Sequence, residues 1–390
     1  MKNIFISNIH IKKVRHLENF DIELSQTKKK HLILTGKNGS GKTSLLEEMA
    51  KYFSLGYAEK YSDDFQADWD TQKHIYDERI KNLELDIKFN LPFIDRNVKK
   101  THIFLYIKAL RNLAMNQPST VTKEADIIDT INKKQEIATD TSIDFLQRMV
   151  NLYFMQLSAE KKQDLKKVEI LEKWFINFTE LLKKIYNCDT LKLDFDDVNF
   201  KYKIIISGRD PFGLNEMSDG YSAILRIIME LINLMEAKSG KYCDYTMPGI
   251  VLVDEIETHM HVELQKEIMP FLTTMFPNIQ FIVSTHSPFV LSSIKNVIIF
   301  DLENRRRVED LSAYSWETIV ESYFEAGQYS HEITQKFNKY KRLYHKERSH
   351  DEEKEFFKIR TELQTVSPVQ KELYNAFRQM ELNLGGKAGK

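Results

Sequence analysis

GKNGSGKT occupies residues 36 to 43, directly after the apolar run His31-Leu32-Ile33-Leu34 and directly before TSLLEEMAKYF. A strand, a glycine-rich turn and a helix in that order are the context a phosphate-binding loop requires. Gly36, Gly39 and Gly41 let the backbone wrap until successive N–H groups point inward at phosphate oxygens. Lys42 then reaches the outer phosphates and the Thr43 hydroxyl is a candidate Mg²⁺ ligand. The candidate cradle is therefore Gly36, Lys37, Asn38, Gly39, Ser40, Gly41, Lys42, Thr43 and Ser44.

Three stretches further along the chain answer this loop. GIVLVDEIE (249 to 257) is an apolar run ending in adjacent carboxylates, Asp254 and Glu255. Ligands bind at the carboxyl ends of strands in open α/β sheets, so acids there are placed for chemistry. Asp254 joins Thr43 as a candidate metal ligand, and Glu255 is the candidate to orient or deprotonate a water attacking a γ-phosphate. FIVSTHSPFVL (281 to 291) repeats the pattern, with His286 at the strand end where an imidazole can contact the γ-phosphate. In NEMSDGYSAILRI (215 to 227) a polar run ends in Ser218-Asp219-Gly220 and opens a mostly apolar helix. Unpaired first-turn N–H groups and the helix dipole make such a start an anion site, on Ser218 and the Gly220 backbone. An ordinary N-cap is the alternative for Ser218.

GKNGSGKT, MSDGY, VLVDE and STHS in this order resemble the ABC-type ATPases, and more closely their soluble prokaryotic branch than the transporters. DEIETHMH is similar to that branch's Asp-Glu-x-Glu-x-x-x-His pattern, with Glu257 and His261 in the matching places. The resemblance implies an α/β fold with a mostly parallel central sheet, an N-terminal antiparallel β subdomain, a helical insertion and C-terminal helices. It implies ATP and Mg²⁺ as cofactors and ATP hydrolysis, with Lys42, Glu255 and His286 as catalytic residues. It also implies a head-to-tail dimer or higher oligomer, in which Ser218 and Gly220 of one subunit cover the phosphate held by the other. The usual Leu-Ser-Gly-Gly-Gln is Met-Ser-Asp-Gly-Tyr here, so Tyr221 replaces the glutamine and Asp219 adds a negative charge, a departure that bears on turnover more than on binding. The resemblance covers residues 1 to about 57 and 190 to 300, and Gln66, Gln72 and Gln117 all stand as Q-loop candidates. Within the branch the chain looks most like ATPase subunits of anti-phage systems such as Septu and PARIS, and like the ATPase half of overcoming-lysogenisation-defect nucleases. That likeness implies a separate effector protein, a nuclease encoded nearby.

A chain of 390 residues and 46.0 kDa fits two or three domains at about 150 residues each. Hydrophobic residues at 42% and charged residues at 29% are those of a soluble globular protein. A net charge of -1 leaves no global basic field, so any contact with DNA has to come from a local patch. Cys188 and Cys243, far apart in sequence, form neither a disulfide framework nor a metal-binding pair. The N-terminal stretch has no apolar export signal and no run approaches the length of a membrane span, so a cytoplasmic location without membrane contact is expected.

Four segments are expected. Residues 1–115 and 190–310 form the two parts of an ATPase domain, 116–189 a helical insertion and 311–390 a C-terminal helical region. Residues 3 to 11 and 20 to 24 read as strands, and the alternating LELDIKF (83 to 89) and IFLYIK (103 to 108) as strands extending the same sheet. LKLDF (191 to 195) and FKYKIII (200 to 206) are further strands; GIVLVD, FIVST and VIIF are apolar runs of a parallel sheet buried on both faces. SPVQ (367 to 370) reads as a capped helix start, with Leu373, Phe377 and Met380 on one face before a GGKAGK tail.

Other signals are less specific. His259 and His261 lack a third ligand at metal spacing, and the basic runs 28 to 30 and 305 to 307 read as solvated loops. LDFDD (193 to 197) reads as a strand and turn rather than a nuclease's acidic trio. The competing functions are a DNA repair or chromosome-maintenance ATPase, disfavoured because the insertion lacks sustained heptads, and a transporter's nucleotide subunit, disfavoured by that insertion and the atypical signature.

Overall fold

Strands built on a continuous apolar run have to be covered on both faces, and four such strands build the centre of the molecule. β3 (His31–Thr35), β9 (Gly249–Val253), β10 (Ile279–Ser284) and β11 (Val297–Asp301) are buried at every residue. With β5 (Ile103–Ile107) and β12 (Arg306–Glu309) they form a six-stranded sheet ordered β12-β11-β3-β10-β9-β5. Every pairing is parallel except the β11–β12 hairpin. The structure is a computed structural model and describes residues 3–55, 81–91, 101–109, 115–136, 141–314, 319, 331–344 and 349–364.

A second sheet packs on this one. β1 (Ile6–Val14) pairs antiparallel with β2 (Leu17–Glu23) and β4 (Leu85–Phe89). Ile6, Ile9, Ile11 and Ile22 share one core with Leu32 and Leu34 of β3, Leu45 and Met49 of α1 (Lys42–Leu55), and Ile282 of β10. Each such side chain contributes roughly 1.5–3 kcal/mol through burial, so the glycine-rich loop between β3 and α1 is anchored at both ends. The alternating strands divide differently from the expectation. LDIKF joins β1, but IFLYI runs parallel to β9, from Ile103 opposite Gly249 to Ile107 opposite Val253. Its adjacent residues Ile103 and Phe104 are both buried, which is the pattern of a strand covered on two sides. β1 also runs on to Val14, ending where Arg15 adopts a left-handed turn (φ 55°).

Among the described residues between β5 and the later strands lie three α-helices, α2 (Glu124–Glu136), α3 (Phe145–Lys161) and α4 (Leu165–Tyr186). In α4, Asp164 accepts from the Lys167 N–H and caps the start; Leu171, Trp174, Phe178, Leu181, Leu182 and Ile185 form the buried stripe. Asn187 in a left-handed conformation ends it. A small antiparallel sheet follows, β6 (Lys192–Asp196), β7 (Lys201–Ile205) and β8 (Phe212–Gly213), and it feeds α5 (Asp219–Ser239). LDFDD is thus a strand closed by a turn, in which Asp196 accepts from the N–H groups of Val198 and Asn199.

A buried ion pair ties α3 to α5. Arg148 donates to Glu236 at 2.6 Å and to Asn233 at 3.2 Å, and Glu236 also accepts from the Trp174 indole of α4 at 3.1 Å. Burial pushes the Glu236 carboxyl up while Arg148 opposes it. Two further helices are α6 (Val262–Met275) and the single turn α7 (Pro288–Leu291).

Residues 315–390 form a separate compact unit. In it α8 (His331–Tyr344) packs on α9 (His350–Gln364), with Tyr340 stacked on Phe356 at 4.9 Å and Lys336 paired with Glu362 at 3.0 Å. The capped start at 367 to 370, Leu373, Phe377, Met380, the GGKAGK tail and most of YSWETIVESYF lie outside the described residues. Among the described residues no helix is long and apolar enough to cross a membrane.

Candidate active site

The loop after β3 is shaped by its glycines. Gly36, Gly39 and Gly41 have φ of 130°, 84° and 97°, conformations that side chains disfavour. A Cβ on Gly36 would also lie 2.8 Å from the Ser40 hydroxyl. The chain curls around the Lys42 ammonium, which donates to the carbonyls of Gly36 at 2.8 Å and Lys37 at 3.1 Å. Burial lowers the Lys42 pKa; Asp254, Glu255, Glu257 and Asp301 pull the other way and favour its charged form. Lys37, Asn38 and Gly39 are exposed on the outer wall, with Lys37 paired to Glu303 at 2.9 Å.

Asp254 closes the inner side. Its Oδ2 accepts from the Thr43 hydroxyl at 2.8 Å, and its Oδ1 from the Ser284 hydroxyl at 2.5 Å. The two candidate metal ligands, 211 residues apart, are thus brought together at the start of α1 and the end of β9. Two oxygens so placed, one a carboxylate, are a donor set suited to Mg²⁺. Ser284 further accepts from the Glu255 N–H at 2.7 Å and fixes a turn in which Glu255 takes φ of 47°. That turn leaves the Glu255 carboxylate exposed beyond the strand end.

His286 follows β10 and is half-buried. Its N–H donates to Glu257 at 2.5 Å. Burial and the Lys42 charge lower its pKa against the pull of Glu257, Glu255 and Asp254, so near neutral pH it is an uncharged imidazole able to donate one hydrogen bond.

The start of α5 has a different geometry from a plain cap. Ser218 sits at the N-cap position with extended backbone, yet its side chain makes no capping bond and the residue is exposed. Gly220 is buried, because the His259 carbonyl lies where its Cβ would be, at 2.8 Å. Packing against the turn after β9 therefore requires this glycine, whatever else its backbone does. Tyr221 stacks on Tyr186 of α4 at 4.2 Å, so the residue replacing the family's glutamine is spent on packing.

Several features have no local signature in the chain. Ser284 is the inconspicuous first letter of STHS, and only its contact with Asp254 marks it. A cavity of about 350 Å³ beside the loop is lined by His16, Lys37, Asn38, Glu303 and Arg305, drawn from three separate turns. Gln117 donates to the Phe200 carbonyl at 2.8 Å, and the other two Q-loop candidates, Gln66 and Gln72, lie outside the described residues. Among the described residues no group of three or more potential metal-binding side chains forms around His259 and His261. The basic runs are partly engaged: Lys29 donates to the Ile279 carbonyl at 2.9 Å, its pKa lowered by burial to about 8, and Arg307 donates to the Glu23 carbonyl.

A phosphate loop at the end of a central strand, acids at the end of another and a histidine at the end of the strand between them define a P-loop ATPase of the ABC type. The chain belongs to the family described as "AAA domain, putative AbiEii toxin, Type IV TA system", whose profile matches residues 93–292. It is 36% identical to the Retron Ec83 probable ATPase of Escherichia coli over 121 residues, 29% of this chain. It is 25% identical to the Septu protein PtuA of Bacillus mycoides over 316 residues, 78% of this chain. It spans 22% and 42% of the lengths of these two relatives. An SMC head bound to the C-winged helix domain of ScpA overlays with a TM-score of 0.41 at 15% identity, covering 79% of this chain and 99% of that one, and adds nothing to the strand order above.

Proposed function

We propose that the protein binds ATP with Mg²⁺, closes into a head-to-tail dimer around it and hydrolyses it, and that nucleotide state controls a separate effector in anti-phage defence. The observation that carries the reading is the 2.8 Å bond between Thr43 and Asp254, which joins the phosphate loop to the acidic strand end. Residues 36 to 44 cradle the phosphates, and Lys42 turns from the loop carbonyls to the outer phosphate oxygens. Held by Thr43 and Asp254, Mg²⁺ would neutralise charge on the phosphates. Glu255 takes the proton of the attacking water, and the neutral His286 donates to the γ-phosphate. The cavity beside His16 and Arg305 receives the nucleoside. Ser218, exposed and free of a capping bond, meets the γ-phosphate of the second subunit together with the Gly220 backbone. The division into an ATPase domain (1–115 and 190–310), an insertion (116–189) and a C-terminal helical region (311–390) is part of the same reading, as is a cytoplasmic location.

The likeness to a retron ATPase and to a Septu protein supports the defence role, and the partner, which we take to be a nuclease encoded nearby, belongs to the same reading. The test compares Lys42→Ala with Glu255→Gln. Lys42→Ala is expected to fold and lose ATP binding; Glu255→Gln is expected to bind ATP and accumulate as a closed dimer without turnover. Unchanged ATP affinity in the first, or wild-type turnover in the second, overturns the assignment.

A further inference from the structure

Glu257 has no role in the chemistry derived so far, yet it makes the contact that holds the switch histidine. It lies in the turn after β9, closed by the Thr258 N–H on the Glu255 carbonyl at 3.0 Å and the Met260 N–H on the Glu257 carbonyl at 2.9 Å. From this turn its Oε1 accepts the His286 N–H at 2.5 Å. Its Oε2 is buried and has no hydrogen-bond partner among the described residues. Among the described residues the carboxylate is thus committed to one bond.

The residues flanking His286 are fixed by other means. Thr285 donates its N–H to the Leu34 carbonyl at 3.0 Å, and the Ser287 N–H goes to the Thr285 hydroxyl at 2.9 Å. The Ser287 hydroxyl donates to Gln265 at 2.6 Å. The peptide of His286 itself depends on Glu257. Without that bond the φ of His286 is less constrained, and a change in φ redirects the Cα–Cβ bond that carries the imidazole. The Glu257 charge also favours the charged forms of Lys42 and His286.

We propose that Glu257 is a positioning residue, which fixes the His286 peptide and so aims the imidazole at the phosphate end of β10. The proposal rests on the ATPase reading above and acts through His286 rather than on the reacting atoms. Gln in its place keeps an acceptor at the same reach; Asp is one methylene short; Ala removes the bond.

The experiment measures kcat and KM for ATP, with thermal unfolding and amide exchange, in Glu257→Ala, Glu257→Asp and Glu257→Gln, each alone and with His286→Ala. The expected result is that Ala and Asp lower kcat by about 30-fold or more with KM within about 3-fold, and that Gln stays within about 3-fold of wild type. In the His286→Ala background Glu257→Ala should cost nothing further, because both changes remove one interaction. The His286 amide should exchange faster in Ala and Asp than in wild type and Gln. Turnover in Ala within about 3-fold of wild type overturns the proposal, as do losses that multiply with His286→Ala or unchanged amide protection. If Ala fails to fold, the contrast of Asp with Gln decides. If the wild-type protein hydrolyses no ATP, the ATPase reading fails, while amide exchange still decides whether Glu257 holds the switch.

Discussion

Replacing Arg148 with Met tests whether the helical insertion is held to α5 by charge. Both partners of its ion pair are buried, Arg148 at 1% exposure and Glu236 at 2%. Removing one partner of such a pair typically costs about 3–5 kcal/mol, because the other charge stays out of water. Glu236 would keep three neutral donors, the Trp174 indole at 3.1 Å, the Cys243 N–H at 2.9 Å and the Tyr245 hydroxyl at 3.4 Å. Met fills most of the vacated volume, so the loss falls at the lower end, about 3 kcal/mol at pH 8. The loss should also depend on pH. Burial already holds the Glu236 carboxyl above its ordinary value of 4.5, and without Arg148 it rises further. The folded protein then retains a proton that the unfolded chain releases above 4.5. The deficit is therefore largest at high pH and shrinks toward pH 5, by up to about 1.4 kcal/mol per unit. Urea unfolding followed by tryptophan fluorescence at pH 5.5 and pH 8 measures both quantities. A deficit below about 1 kcal/mol, or one equal at the two pH values, would refute the reasoning.

Other outcomes follow from the same geometry. His31 is buried in β3, accepts from the Phe281 N–H at 3.1 Å and has its pKa lowered by burial from 6.5 to about 3. Its stabilising contribution is complete above 6.5 and lost on acidification, at about 1.4 kcal/mol per pH unit, so His31→Gln should show a shallower fall in stability between pH 6.5 and 5. Ser218→Arg and Lys42→Ala, each inactive alone, should recover activity when mixed, because one composite site then has both an intact loop and an intact signature. Heterodimers confirmed by mass that hydrolyse nothing would count against independent sites in trans. Expressed without its genomic neighbour the protein should be harmless and give no phage protection, and removal of residues 331–390 should abolish partner binding. Full protection from the single gene would remove the effector from the reading.

The glycine-rich turn after β3, the apolar runs of the four buried strands and the helix starting at Lys42 were legible in the chain. Each is contiguous, and its form follows from local rules: glycines where φ is positive, an apolar run where both faces are covered, a helix where the loop ends. The α/β class followed from the same runs. Alternation was the wrong pattern for IFLYI, whose apolar and aromatic residues occupy both faces, and which strand it pairs with is decided only by packing against β9. The meeting of Thr43 with Asp254, the anchoring of His286 by Glu257 and the seating of Gly220 against the His259 carbonyl belong to the tertiary structure too. The same holds for the Arg148–Glu236 pair, whose members lie 88 residues apart on two helices. Local pattern determines which way a residue faces within its own strand or helix. Which partner it meets depends on how those elements pack, and for a buried charge or a single hydrogen bond that meeting is what sets its energy.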